Sequence, residues 1–257
     1  MRLHRNLVLA VSDALTMIFN EDEYADKVVQ KILKRNKRWG SRDRGFIAET
    51  TYEIVRYKRL YQEIAEVKSP FTRPDLFRVF AVWAVLRGIP LPDWNQFNNT
   101  PARRIKGKFD ELAKIRKFRE AVPDWLDELG EKALGANKWS KELAALNQQA
   151  SVVLRVNRLK TNPNALQKEL SALEIDTVKL KAYPDALLLK ERKDVFKTPY
   201  FKKGWFEVQD ASSQLVAPFL QVSPGQMVVD ACAGAGGKSL HLAALMENKG
   251  HLLALDI

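Results

Sequence analysis

The sequence predicts a multidomain protein with three consecutive units: an all-α domain over 1–140, a small α+β domain over 150–210 and, over 211–257, the opening of a parallel α/β nucleotide-binding sheet. Three observations carry this reading. Apolar residues recur at helical spacing up to about Gly135; short apolar runs then alternate with one helical stretch; from Ala211 a strand, a glycine-rich turn, a helix and a second strand follow in order. At 257 residues and 46% apolar composition, the chain has room for more than one core.

The opening stretch carries Leu7, Val11, Ala14, Leu15 and Ile18 at spacings of three and four, the pattern of an amphipathic helix, and no small-residue cleavage signal follows its apolar part. Ile47, Thr50, Ile54, Tyr57, Tyr61 and Ile64 form an unbroken stripe, which predicts one helix over 43–66 with a single buried face. The next helix begins near Pro74, a residue suited to a first turn. It directs Leu76, Phe80, Trp83 and Leu86 inward and stops before Gly88, Pro90 and Pro92. Further helices are predicted over 103–118 and 123–134.

Beyond Ser151, VVLRV reads as a strand, NPNALQKELSAL as a helix capped by Asn162 or Thr161, and the segments around Thr177 and ALLL as further strands, making one sheet with a helix on it. ASSQLVAPFL is a short helix, SPG a turn, QMVVD and HLLALD buried strands, and KSLHLAALMEN the helix between them. Parallel sheets are covered on both faces, so two strands and one helix would leave apolar surface bare. The chain is therefore expected to be a fragment of a longer polypeptide.

The formal charge of +11, from 42 Lys+Arg against 31 Asp+Glu, favours a polyanionic partner. A membrane span would need about 20 continuous apolar residues, and no stretch approaches that, so a cytoplasmic protein is expected. The charge is uneven: residues 31–59 hold ten basic residues against three acidic, and 101–119 hold eight against two. On helices these become patches able to meet phosphates, with Arg35, Arg38, Arg42, Arg44, Arg103, Arg104 and Lys106 as the candidate contacts; a solvated helical face is the other reading. One cysteine, Cys232, and three scattered histidines, His4, His241 and His251, provide neither an internal disulfide nor metal-ligand spacing, so no metal is expected.

The segment DACAGAGGKS ends in GGKS, yet a phosphate-binding loop would require glycine at the position held by Cys232. A better fit is Asp230, Gly234 and Gly236, with Asp256 twenty residues beyond Gly236 at the end of the second strand. Glycines let backbone approach a ligand, the helix terminus at Lys238 favours its anionic part, and Asp256 would accept hydrogen bonds from ribose hydroxyls. Both a dinucleotide pyrophosphate and the carboxylate of S-adenosylmethionine suit this spacing, and a structural glycine turn is the alternative. Cys232 reads as a small side chain packed beneath the loop or as a thiolate near a helix terminus. Lys238 reads as a cofactor-carboxylate contact or as a solvated first-turn lysine.

The string DACAGAGGKS, preceded by GWFEVQDASSQLVAPFLQVSPGQMVVD, closely resembles the first methyltransferase motif of the RNA 5-methylcytosine methyltransferases of the Sun/Fmu/RsmB type. VPDWLDELGEKALG and LNQQASVVLRVNRLKT are similar to that family's lead-in to its small α+β, RRM-like domain, and WGSRDRGFIAETTYEIVRYKRL resembles its NusB-like helical domain. The resemblance implies a Rossmann-like methyltransferase domain beginning at 211. It further implies that Cys232, Ala233, Gly234, Ala235, Gly236, Gly237 and Lys238 line an S-adenosylmethionine pocket whose ribose Asp256 holds. Gln209 and Asp210 would shape or close that site, or simply hydrogen-bond at a domain junction. Where the family usually has proline this sequence has Ala235; a rigid turn is lost, though the adjacent glycines still permit it.

The implied activity is methylation of carbon 5 of cytosine in RNA, with small-subunit ribosomal RNA as the expected substrate and transfer RNA as the enzymatic alternative. A non-enzymatic NusB-like RNA-binding module is the rival reading. The family's chemistry uses two cysteines that would lie after Ile257, neither of them Cys232, so no catalytic residue is assigned within these residues and the 257-residue chain is expected to be inactive alone. A monomer is expected.

Overall fold

In the computed structural model, which describes residues 3–98 and 100–257, the helical periodicity of the first half is realised as one unit, Met1–Gln148, and the remainder, Gln149–Ile257, forms a second. The first contains α1 (Arg5–Asn20), α2 (Ala25–Arg35), α3 (Ser41–Arg56), α4 (Lys58–Ala65), α5 (Arg73–Leu86), α6 (Ala102–Leu112), α7 (Arg116–Arg119), α8 (Asp124–Leu134) and α9 (Ala136–Leu146). Helix α5 is its centre. Thr72 caps it: the Asp75 backbone N–H donates to Thr72 Oγ1 (3.3 Å) while the Thr72 N–H donates to the Asp75 carboxylate (3.0 Å). Burial along α5 is wider than the single stripe expected, taking in Leu76, Phe77, Val79, Phe80, Val82 and Trp83 and leaving Arg73 and Arg78 exposed, because α1, α4 and α6 pack around it. Leu86, expected inside, is only half-buried at the helix end.

Two expected helices are each broken in two. The stripe from Ile47 to Ile64 is present, but the backbone leaves the helical region at Tyr57 (φ −100°, ψ 22°), and the bend keeps α3 and α4 both against α5. The predicted 103–118 helix is interrupted by Ile115, which is extended (φ −98°, ψ 114°). That break turns Arg116 toward α8, where its Nε donates to Asp127 (2.6 Å) and its guanidinium also pairs with Glu131. Helix α9, absent from the sequence reading, folds back on α8 across Gly135, whose φ is +76°. Trp139 of α9 donates its indole N–H to Asp127 (3.0 Å), and its ring lies over Gly130.

The second unit begins with β1 (Val153–Val156), α10 (Pro163–Ser171), β2 (Thr177–Leu180), β3 (Tyr183–Leu189), α11 (Pro199–Lys202) and β4 (Phe206–Val208). All neighbouring strands are antiparallel, in the order β2-β3-β1-β4, with Leu154 opposite Leu187 on one side and Val208 on the other. Asn162, rather than Thr161, caps α10 by accepting from the Ala165 N–H (3.0 Å). Leu166 and Leu170 of α10 pack with Leu154, Val156, Leu187 and Phe206. β4 was not legible in the sequence; it is three residues long and places Phe206 in that core.

A 3-10 turn at Ser212–Leu215 and α12 (Val216–Phe219) lead to β5 (Met227–Asp230), α13 (Gly237–Leu245) and β6 (His251–Ala254). β5 and β6 are parallel, with Met227 opposite His251 and Asp230 opposite Ala254. The two strands, read as buried, are covered on one face and bare on the other: Val228 packs with Leu242 and Met246 of α13, whereas Met227, Val229 and Leu253 are exposed because successive side chains alternate and α13 lies on the opposite face.

All four residues of β1 are buried, because the segment after β4 lies on the sheet face that α10 leaves open. Arg155 is buried on that side with only 3% exposure. His241 of α13 is 4% exposed and neither ring nitrogen has a hydrogen-bond partner. Burial, reinforced by the Arg155 charge, pushes its pKa down to about 4.

Two outcomes are expected from this packing. A Cβ added at Gly130 would sit 2.2 Å from the Trp139 ring, so Gly130→Ala should destabilise the protein by about 1–3 kcal/mol despite alanine's better helix propensity. A melting temperature equal to or above that of the parent would contradict this. The unfolded chain protonates His241 near its ordinary pKa of about 6.5 and the folded chain only near 4, so the unfolded state binds more protons between those values. Stability should therefore be full above pH ~6.5 and fall toward pH ~4, by at most about 3 kcal/mol from this residue. Urea unfolding of His241→Leu should show a shallower pH dependence across that window; identical slopes for parent and variant would refute the assignment.

Candidate functional site

The loop between β5 and α13 takes its shape from its glycines and two aspartates. Gly234 (φ +53°) and Gly236 (φ +80°) both occupy the left-handed region, and nothing lies within 4 Å of where a Cβ would project from either. The loop backbone is accessible on that side. Gly236 donates to the Ala233 carbonyl (2.8 Å) and serves as the cap of α13, while Ala233 donates to the Leu255 carbonyl (2.9 Å), fastening the loop to the end of β6. The N–H groups of the first turn of α13 have no acceptor within the helix, as at any helix start.

Asp230 closes β5. Its carboxylate accepts from Ser239 Oγ (2.7 Å) and the Cys232 N–H (3.4 Å), so the strand end, the loop and the first helical turn are tied together. Ser239 is buried and was not singled out in the sequence, although it is the serine of the GGKS string. Asp256 sits across the loop, accepting from the Gly234 N–H (2.5 Å) and the Ile257 N–H (3.0 Å). A carboxylate has about four acceptor positions, so two bonds to backbone leave capacity for a ligand. Cys232 is exposed, which corrects the expectation of a side chain packed under the loop; the turn directs it outward. Ala235 and Lys238 are exposed and Gly237 is half-buried. Thus the structure gathers Cys232, Ala233, Gly234, Ala235, Gly236, Gly237, Lys238 and Asp256 around one loop.

Beneath this loop lies a contact that sequence reasoning missed. Arg155 Nη1 donates to Gln209 Oε1 (2.5 Å) and to the carbonyl of Gly237, the first residue of α13. A Cβ on Gly237 would lie 3.7 Å from the Gln209 side-chain amide. Gln209 also accepts at its carbonyl from Gln214 Nε2 (3.1 Å). Asp210 accepts from the Ser212 N–H (2.9 Å) and hydroxyl, and these bonds hold its carboxyl below the usual range. Gln209 thus joins β1 to the segment after β4, while the bonds of Asp210 are local to the turn that follows it. The available signal was a lone charged residue in the apolar run VVLRV, on the strand face opposite Leu154 and Val156.

The predicted basic contacts divide into engaged and unengaged groups. Arg35 pairs with Asp13 (3.4 Å), Arg44 donates to the Leu33 carbonyl (3.0 Å), and Arg104 shares Glu66 with Lys108. Arg38, Arg42, Arg103 and Lys106 are exposed and have no ion pair among the described residues. Among those residues no group of three or more His, Cys, Asp or Glu side chains is placed to hold a metal ion, and no helix is long and apolar enough to cross a membrane.

Comparison with known proteins gives this geometry a context. Residues 122–196 match the family described as Methyltr_RsmF/B-like, ferredoxin-like domain. The strand order and antiparallel pairing of β1 to β4 are those of a ferredoxin-like sheet, with β4 lying beyond the matched segment. The chain is 30% identical over 272 residues to the probable ribosomal RNA small subunit methyltransferase B of Synechocystis sp., covering 93% of this chain and 60% of that protein. It is 35% identical over 163 residues to ribosomal RNA small subunit methyltransferase B of Pseudomonas putida, covering 62% of this chain and 37% of that one. In fold, it matches the crystal structure of PH0851 with a TM-score of 0.72 at 22% identity, over 99% of this chain and 64% of that one. The chain thus spans at most about three fifths of the length of these two named relatives. Residues 122–196 are thus similar to the ferredoxin-like domain of the RsmF/B-like methyltransferases, and the chain is similar in sequence to the ribosomal RNA small subunit methyltransferase B proteins.

Proposed function

We propose that this chain supplies the RNA-contacting and cofactor-loop portions of an S-adenosylmethionine-dependent RNA methyltransferase that modifies carbon 5 of cytosine in small-subunit ribosomal RNA in the cytoplasm. The observation that carries the reading is the β5–loop–α13–β6 unit, with two left-handed glycines between Asp230 and Asp256, adjoining an RsmF/B-like ferredoxin-like sheet. We read this unit as the start of a Rossmann-like domain and the helical unit as NusB-like.

The loop residues fit the cofactor on their own geometry. The open space over Gly234 and Gly236 admits a ligand to the backbone, and the N–H groups starting α13 suit a carboxylate. Asp256 retains acceptors for ribose hydroxyls, and exposed Lys238 stands in the first turn, where it would add positive charge near the same carboxylate. When bound, S-adenosylmethionine supplies an electrophilic methyl group on a sulfonium. The chain's own part is to hold and orient that molecule, with Arg155 and Gln209 fixing the helix from below and Asp230 with Ser239 fixing the strand end. Arg38, Arg42, Arg103 and Lys106 offer their charges to phosphates, and Arg35, Arg44 and Arg104 contribute by exchanging their present partners. Cys232, the chain's one cysteine, faces solvent at the loop and is assigned to cofactor binding rather than nucleophilic attack.

Two measurements test this. Isothermal titration with S-adenosylmethionine should show binding that Asp256→Ala weakens about tenfold or more, the worth of one or two hydrogen bonds to a charged group; equal affinity in the variant would remove Asp256 from the site. In a methyl-transfer assay with labelled S-adenosylmethionine, the full-length gene product should label cytosine in unmodified small-subunit ribosomal RNA, and the 257-residue chain should not. Labelling of transfer RNA instead would move the substrate assignment, and absence of any transfer by folded full-length protein would favour a non-enzymatic RNA-binding module.

A further inference from the structure

The helical unit contains a basic groove that none of the sequence-predicted contacts occupies. It has a volume of about 690 Å³ and is lined by Arg5, Arg73, Arg78, Asn95, Gln96 and Asn98 over an apolar floor that includes Leu9 and Phe77. Arg78 also lines a second cavity, of about 240 Å³, together with Arg104. The two depressions therefore share one wall residue, and between them they are lined by four arginines, from α1, α5 and α6. Arg104 is the single point at which this track meets the residues expected from sequence.

The chemistry of the lining is specific. Three arginines supply positive charge, while three side-chain amides supply paired donors and acceptors, the combination that meets phosphates and base edges respectively. The present partners of the arginines are weak. Arg73 reaches Asp13 at 3.3 Å with 59% of its side chain exposed, and Arg78 reaches Asp75 at 3.6 Å with 46% exposed. Exposed pairs of this kind contribute little to stability and exchange readily for phosphate. Arg5 has no ion pair among the described residues. A volume in the range of small-ligand sites admits individual nucleotides rather than a duplex, and bases offer free hydrogen-bonding edges to side chains chiefly in single strands.

We propose that this groove is a binding site for a single-stranded stretch of RNA, with Arg5, Arg73 and Arg78 on its phosphates and Asn95, Gln96 and Asn98 on its base edges. It rests on the reading of RNA as this protein's partner, but not on the cofactor loop or the methylation chemistry.

The test is fluorescence anisotropy of a short labelled single-stranded RNA and of a duplex of equal length, titrated with the 257-residue chain over a series of salt concentrations. The parent should prefer the single strand. The triple variant Arg5→Ala/Arg73→Ala/Arg78→Ala should bind it at least about tenfold more weakly, with the log–log salt slope reduced by about 2, since each single-strand phosphate contact contributes about 0.7. The corresponding triple lysine variant should keep the slope, and Asn95→Ala/Gln96→Ala should weaken binding without changing it. All these side chains are on the surface, and unchanged circular-dichroism melting will show that the variants are folded. An unchanged slope in the triple alanine variant, equal affinity for duplex, or displacement of the RNA by polyglutamate as readily as by unlabelled RNA would each overturn the proposal. No RNA binding by the parent at low salt would overturn it as well, while S-adenosylmethionine titration of the same sample reports separately on the cofactor loop.

Discussion

A guanidinium taken out of water must find acceptors inside the protein, and Arg155 finds them on the group it supports. Its charge cannot be lost by deprotonation, so burial at 3% exposure obliges the surrounding structure to present oxygen atoms. Gln209 presents one from the segment after β4, and the Gly237 carbonyl presents another from the first turn of α13. Glu207, directly opposite Arg155 in the β1–β4 register, adds a favourable charge from the neighbouring strand. The consequence is positional: the start of α13 is fixed relative to the ferredoxin-like sheet by hydrogen bonds that a buried charge cannot give up cheaply.

The loop above inherits that placement. Asp230 holds Ser239, Asp256 holds the Gly234 amide and Ala233 holds the end of β6, so each of its ends has a hydrogen-bonded anchor while the backbone at Gly234 and Gly236 faces open space. The left-handed conformations at Gly234 and Gly236 explain why glycine stands at those two positions, since a side chain there would be strained even with room around it. Proline is not needed at Ala235 for the turn to form. The same anchoring sends Cys232 outward, which separates its small size from the packing role it suggested.

In the helical unit, different residues answer the competing demands of charge and core. Helix α5, buried over most of its surface, organises α1, α4 and α6, and several basic side chains serve the fold rather than the surface: Arg116 bridges to α8, Arg59 reaches the Val122 carbonyl and Asp124, and Arg87 joins Tyr61 and Trp83 on the Glu53 carboxylate. The excess of +11 is therefore not uniformly available to a polyanion. Exposed basic side chains remain at Arg38 before α3, at Arg42 in its first turn, on α6 and along the arginine-lined grooves beside α5, and also on α2, α8 and α9, as at Lys34, Lys132 and Lys141.

Much of this was determined by the sequence alone. Apolar patterning along the chain located α1, α5, α8, β1, α10 and α13, and the spacing of Asp230, Gly234, Gly236 and Asp256 located the loop because those residue types are required by the turn itself. The tertiary structure alone decided the breaks at Tyr57 and Ile115, where the stripe continues while the backbone bends to follow α5 or to bring Arg116 to its acids. It alone supplied β4, too short for a periodic signal, and the burial of Arg155, which depends on a covering segment more than fifty residues away. It also sorted the arginines into engaged and available, since a residue's own sequence neighbourhood does not reveal which distant carboxylate or carbonyl the fold will bring to it. Local propensity and pattern are written along the chain; a partner's identity is fixed only when folding closes the distance.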